Sequence, residues 1–169
     1  MMRNLLLSTA ALSALFIASA AHAEPQVQSE YLTLSVGEFD VHDNGTNSAS
    51  FGLEYRGSPF WYGLLPTAGL AATDDGAYYG YVGLNYDWNV VDGLFFTPSF
   101  AVSAYEDGGG KDLGGVIEFR SGVELSYRFP NEHRLGVAYQ HLSNAGIYDK
   151  NPGAENLLVT YSIPLSIFK

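Results

Sequence analysis

The chain has 169 residues, 8 Lys+Arg against 18 Asp+Glu, no Cys, 19 Gly, and 47% hydrophobic residues that include 12 Tyr and 10 Phe. That length suits one domain, and a formal net charge of −10 excludes the basic footprint of a nucleic-acid binder. The apolar and aromatic content excludes disorder, and the absence of Cys removes thiol catalysis, disulfide scaffolding and thiolate zinc sites together.

Residues 1–23 read as an export signal. Arg3 forms a short basic start, residues 5–21 are apolar with only small Ser and Thr interruptions, and Ala21-His22-Ala23 gives the small-x-small pattern of a signal-peptidase site. Residues 24–169 then form the mature domain. No later segment reaches the roughly 18 apolar residues of a membrane-spanning helix. The best candidate, residues 60–72, is broken by Gly63, Pro66, Thr67 and Gly69.

The mature chain alternates with a period of two, the signature of strands with two unlike faces. In chain order, eight segments carry apolar columns. Leu32, Leu34 and Val36 begin the series, and Phe51, Leu53 and Tyr55 come next. The third segment runs over residues 61–72 with Tyr62, Leu64, Pro66, Ala68 and Leu70 in phase. The fourth holds Tyr78, Val82, Leu84, Tyr86 and Trp88, and the fifth holds Phe96, Pro98, Phe100, Val102 and Ala104. The sixth sets Ile117, Phe119, Val123, Leu125, Tyr127 and Phe129 against Glu118, Arg120, Glu124, Ser126 and Arg128. Leu135, Val137 and Tyr139 make the seventh. Leu157, Val159, Tyr161, Ile163, Leu165 and Ile167 make the eighth. The connections carry the Gly, Pro, Asn and Asp that turns require. Asp74-Asp75 and Glu106-Asp107 read as solvated loop charges.

Alternation does not say which face is wet. A soluble barrel would turn the apolar columns inward, whereas an outer-membrane barrel turns them to lipid and keeps polar, paired residues in its lumen. Three features favour the second: the export signal, aromatic residues clustered near predicted strand ends, and the alternation of Glu54, Arg56, Glu118, Arg120, Glu124 and Arg128 with small residues. The fold expected is all-β, an eight-stranded antiparallel transmembrane β-barrel, closed because unpaired backbone groups are not tolerated in lipid. Both termini then lie at one end. The penultimate Phe168 resembles the aromatic end of outer-membrane barrels.

Three His lie beyond the leader. His42, among Asp40, Asp43 and Asn44, and His133, in Asn131-Glu132-His133-Arg134, read as solvated loop residues. His141 differs by its phase. Continuing Leu135, Val137 and Tyr139 by twos gives His141 and then Ser143, and stepping back from Leu157 gives Glu155 on the neighbouring strand. Three polar groups thus fall where the pattern expects apolar ones, and directly opposed cross-strand residues lie about 4.5–5.5 Å apart at Cβ. Ser, His and a carboxylate are the nucleophile, base and orienting acid of acyl transfer. The same three groups could instead form a polar cluster that meets lipid headgroups.

His141-Leu142-Ser143-Asn144-Ala145-Gly146, then Asn151-Pro152-Gly153-Ala154-Glu155-Asn156, resembles the signature of the lipid A 3-O-deacylase (PagL) family. The likeness is specific over about residues 136–165 and generic before them. It implies a catalytic triad of His141, Ser143 and Glu155, with an oxyanion hole from the Gly146 backbone N–H and the Asn151 side chain. It also implies hydrolysis of the ester-linked 3-hydroxy fatty acid at position 3 of lipid A, in the outer leaflet of the cell outer membrane. Lipopolysaccharide would be the substrate, with no cofactor, and the protein a monomer or homodimer. No carboxylate cluster has metal-ligand spacing, so metal-independent hydrolysis is expected. A non-enzymatic surface barrel would place its function in the long connections, above all residues 106–113 with Gly108-Gly109-Gly110. A soluble periplasmic barrel would bind a small apolar ligand.

Overall fold

The computed structural model describes residues 30–42 and 47–168, and the expected leader, residues 1–23, lies outside them. Nine strand segments run in order: β1 (Tyr31–Phe39), β2 (Ser48–Arg56), β3 (Leu64–Thr73), β4 (Tyr78–Tyr86), β5 (Trp88–Val91), β6 (Leu94–Glu106), β7 (Ile117–Arg128), β8 (Arg134–Ser143) and β9 (Ala154–Pro164). Each barrel strand pairs antiparallel with its neighbour in sequence, and β1 pairs with both β2 and β9. That last pairing closes the sheet. The β5 segment continues the path of β4 along β6, since Asn85↔Ser99 is succeeded by Trp88↔Phe96. Between them Asp87 turns its carboxylate to Thr97 and Arg134. The barrel is therefore eight-stranded, as its alternation requires.

Two strand limits differ from the periodic reading. The third strand begins at Leu64 because Trp61–Gly63 is a 3₁₀ turn in which Tyr62 (φ 54°) and Gly63 (φ 82°) are left-handed, so Tyr62 is not in register with Leu64. The last strand stops at Pro164, which has no N–H for the ladder, and Leu165–Phe168 form a 3₁₀ turn.

The apolar columns face outward. Leu34, Val36, Leu53, Leu70, Val82, Val102, Leu125, Val137 and Val159 are all exposed, while Thr33, Glu54, Arg56, Arg120 and Glu124 are buried. In water such an exterior would aggregate; in a bilayer it is the solvated face. The lumen is filled by charge pairs. Arg56 donates from Nε to Glu54 (2.6 Å) and bidentately to Glu124 (3.1 and 2.7 Å), while Arg120 and the Tyr81 hydroxyl reach Glu54 at 2.9 and 2.8 Å. Cavities of only about 20 and 10 Å³ remain beside this network. Glu118 departs from the expected pairing: it is fully buried, and neither carboxylate oxygen has a hydrogen-bond partner among the described residues.

The ends differ. Trp61, Tyr62 and Phe168 lie exposed near the termini, where the connections are short. The opposite end carries the connections over residues 40–47, 74–77, 107–116 and 144–153. Asp75 is more than a solvated charge there. Partial burial works against its ionisation, but bonds from the Thr73 hydroxyl and the Ala77 N–H outweigh it and hold the carboxyl below the usual range.

Candidate active site

Residues on β7, β8, β9 and the connection after β1 meet at the long-loop end, on the outer wall. On β8, Leu135, Val137 and Tyr139 point outward, and the unbroken ladder to β9 carries that phase on to His141 opposite Glu155. The imidazole Nδ1 and Glu155 Oε1 are 3.0 Å apart, so the carboxylate accepts from an Nδ1–H tautomer and leaves Nε2 as the free ring nitrogen. The His141 side chain is 42% exposed and that of Glu155 26%. Ser143 is the last residue of β8, one pleat beyond His141 on the same face. No hydrogen bond joins its hydroxyl to the ring among the described residues.

Gly153 closes over the other edge of the imidazole. A Cβ added there would lie 2.9 Å from His141 Cε1 and 3.6 Å from Nε2, and Gly153 itself has φ +67°. Both the close approach and the left-handed backbone call for glycine.

His42 is a loop residue with 66% of its side chain exposed, as expected, and it also lies beside Glu155. The Val41 N–H donates to the Glu155 carbonyl at 2.9 Å, one residue out of the β1–β9 register, after Asp40 (φ 63°) ends the strand. His42 then lies with Nδ1 3.7 Å from Glu155 Oε2 and its ring edge-on to Tyr139 at 6.2 Å. Glu155 thus has an imidazole at each oxygen. The local run Asp40, Asp43 and Asn44 gave no sign of this, because the contact depends on how the chain turns at Asp40 after β1 ends. His133, at the other end, hydrogen-bonds the Tyr161 hydroxyl at 2.8 Å and is remote from the group.

The connection after β8 is held by Asn144. Its N–H donates to Asn151 Oδ1 (3.0 Å), its Nδ2 donates to the Leu113 and Lys150 carbonyls (2.8 Å each), and its Oδ1 accepts from the Gly146 N–H (3.0 Å). Ala145 (φ 54°) and Gly146 (φ 79°) are both left-handed, and the Ile147 N–H closes the turn onto the Asn144 carbonyl at 3.1 Å. Two successive positive φ values are the mark of a primed turn. The Asn151 amide group keeps its Nδ2 donor, and the Gly146 N–H is engaged by Asn144 in this state. Residues 107–116 support this connection: Leu113 receives Asn144, and the Tyr148 ring lies against Gly115, where a Cβ would fall 2.1 Å from it.

The family model for lipid A 3-O-deacylase (PagL) matches residues 30–164. The chain belongs to that family. Among its relatives, the lipid A deacylase PagL of Bordetella bronchiseptica is 32% identical over 63 residues, 37% of this chain and 34% of that protein. The corresponding protein of Pseudomonas aeruginosa is 33% identical over 57 residues, 34% of this chain and 33% of its own length. The chain thus aligns with about a third of the length of these curated relatives. Among solved structures, that of the outer membrane enzyme PagL has a TM-score of 0.62 at 22% identity, covering 79% of this chain and 99% of the other. Neisserial surface protein A gives 0.52 at 14%, covering 80% and 96%. A de novo designed transmembrane β-barrel gives 0.55 at 17%, covering 83% and 100%. These three share the fold. Family membership and the lipid-facing exterior together make the chain an outer-membrane β-barrel.

Proposed function

We propose that the protein is a lipid A deacylase that hydrolyses an ester-linked acyl chain, the 3-O-linked 3-hydroxy fatty acid, with Ser143 as nucleophile, His141 as base and Glu155 as orienting acid. The observation that carries this reading is the His141–Glu155 bond of 3.0 Å on a surface otherwise built for hydrocarbon. An ion-pairing group facing lipid is costly unless it has a use.

The chemistry stems from the tautomer. Glu155 fixes Nδ1–H, so Nε2 can accept the Ser143 proton as Oγ attacks the ester carbonyl. The attack calls for a Ser143 rotamer that turns its hydroxyl toward the ring, one pleat away on the same strand. The tetrahedral oxyanion is met by Asn151 Nδ2 and by the Gly146 N–H, which exchanges Asn144 Oδ1 for the more highly charged acceptor. Imidazolium, stabilised by Glu155, returns the proton to the leaving alcohol, and an acyl-serine remains. Water, deprotonated by the same Nε2, then releases the fatty acid and restores Ser143. The substrate reaches the group sideways from the leaflet, with its acyl chain along the apolar columns of β7, β8 and β9, so the filled lumen is no obstacle.

The test is mass spectrometry of lipid A from cells expressing the wild type or Ser143→Ala, with His141→Ala and Glu155→Ala alongside. Loss of one 3-hydroxy fatty acid with the wild type, and a fall of about 10³-fold or more in each variant, is expected. Unchanged lipid A with folded wild-type protein in the membrane would instead favour a non-enzymatic surface barrel.

A further inference from the structure

Apart from Glu38 and Glu106 at the loop-end limits of β1 and β6, the outward columns hold one more polar side chain that the hydrolytic steps do not use. On β7 the column reads Ile117, Phe119, Ser121, Val123, Leu125 and Tyr127, and only Ser121 breaks it. On β2, β3, β4 and β6 the outward columns below the loop end hold apolar residues, Gly or Pro. Ser121 is exposed and sits directly opposite His141 in the β7–β8 register, one pleat from the Phe119↔Ser143 pair. It lies in a notch. Phe119 above it stacks on Phe100 (6.0 Å, 17°), which is the direct β6 partner of Ser121, and Val123 lies below.

Two constraints separate it from the nucleophile. His141 Nδ1 is committed to Glu155 on the β9 side, and the Cε1–Nε2 edge is turned toward Gly153 at the loop end. Ser121 is on the opposite flank, toward β7. Diagonal cross-strand neighbours such as Ser121 and Ser143 lie about 7–8 Å apart. An acyl group carried on Ser143 bridges that gap within its first few carbons and then continues down the apolar wall.

We propose that Ser121 is a specificity-determining residue: its hydroxyl hydrogen-bonds a hydroxyl on the acyl chain two carbons from the scissile carbonyl, so that hydroxylated acyl esters are favoured over plain ones. This rests on the deacylase reading, with Ser143 as the acylated residue. On a lipid-facing wall water is scarce, and a chain without the hydroxyl leaves Ser121 without a partner. A chain with it satisfies both groups.

The experiment uses the full protein in mixed micelles with two synthetic esters of one alcohol and one acyl length, with and without the 3-hydroxyl. The wild type is expected to favour the hydroxylated ester about fivefold or more in kcat/KM. Ser121→Ala should bring that ratio close to one, and Ser121→Thr, which keeps a hydroxyl, should restore it. Active enzyme whose ratio is the same in wild type and Ser121→Ala overturns this inference alone. Loss of both esters in Ser121→Ala with retention in Ser143→Ala would make Ser121 the nucleophile and overturn both assignments. A wild type that cleaves neither ester removes the deacylase reading and this inference with it.

Discussion

Glu155 meets imidazole on both sides, and the two contacts are unequal. His141 is at hydrogen-bond distance and His42 is at 3.7 Å, from a loop anchored by the Val41–Glu155 backbone bond. A carboxylate touched at both oxygens has fewer rotamers in which Oε1 leaves His141, which is pre-organisation of the base. His42→Ala should therefore lower kcat by about two- to tenfold with little change in KM, and His42→Gln, which still presents a donor to Oε2, should recover most of it. Equal kcat for wild type and His42→Ala, measured on a synthetic ester, would leave His42 a bystander. At the oxyanion, Asn151→Ala is expected to cost about 10²–10³-fold in kcat.

The connection between β8 and β9 acts as one piece because a single side chain ties it. Asn144→Ala removes the acceptor at Gly146 N–H and the donors at Leu113 and Lys150, so the turn should open. Faster proteolysis of residues 144–153 together with loss of hydrolysis is the expected outcome, with the barrel intact by heat-modifiable electrophoresis. Ala145 is a different matter: a left-handed alanine costs about 1 kcal/mol or more relative to glycine, and Ala145→Gly should relieve part of it. The strands themselves were legible in the sequence, because a period of two with one buried face leaves only one register. So was the meeting of His141 and Glu155, since both are set by phase. The Trp61–Gly63 turn was not, because Tyr62 mimics the phase of a strand it precedes. His42 at Glu155 and Asn144 at Leu113 were not legible either, as both are loop contacts at long sequence separation. Ser121 did leave a trace: it is the gap in the column Ile117, Phe119, Val123, Leu125, and a gap is easier to skip than to count.

At the scale of the whole barrel, the lumen is a packed ionic interior rather than a channel. Removing one member of a buried pair leaves a charge with no partner, which costs about 3–5 kcal/mol. Arg56→Met should be destabilised by that amount in denaturant titration, because Glu124 loses both of its bonds to Arg56. Arg56→Met with Glu124→Met should recover much of the loss. Planar bilayers carrying the wild type should show no steady ion current, given cavities of about 20 and 10 Å³. Acidic side chains dominate the long-loop end, with Asp40 and Asp112 tied to Lys111 and Lys150.

All the reactive side chains lie on a strip from β7 to the start of the loop after β1, leaving the wall formed by β2, β3 and β4 chemically idle. That wall is spare hull. A dye or tether attached at Leu53, Leu70 or Val82, each exposed on it, would ride on the far flank while lipids exchange on the working one. Turnover could then be watched from behind, by a reporter that never shares a neighbour with the molecule being cut.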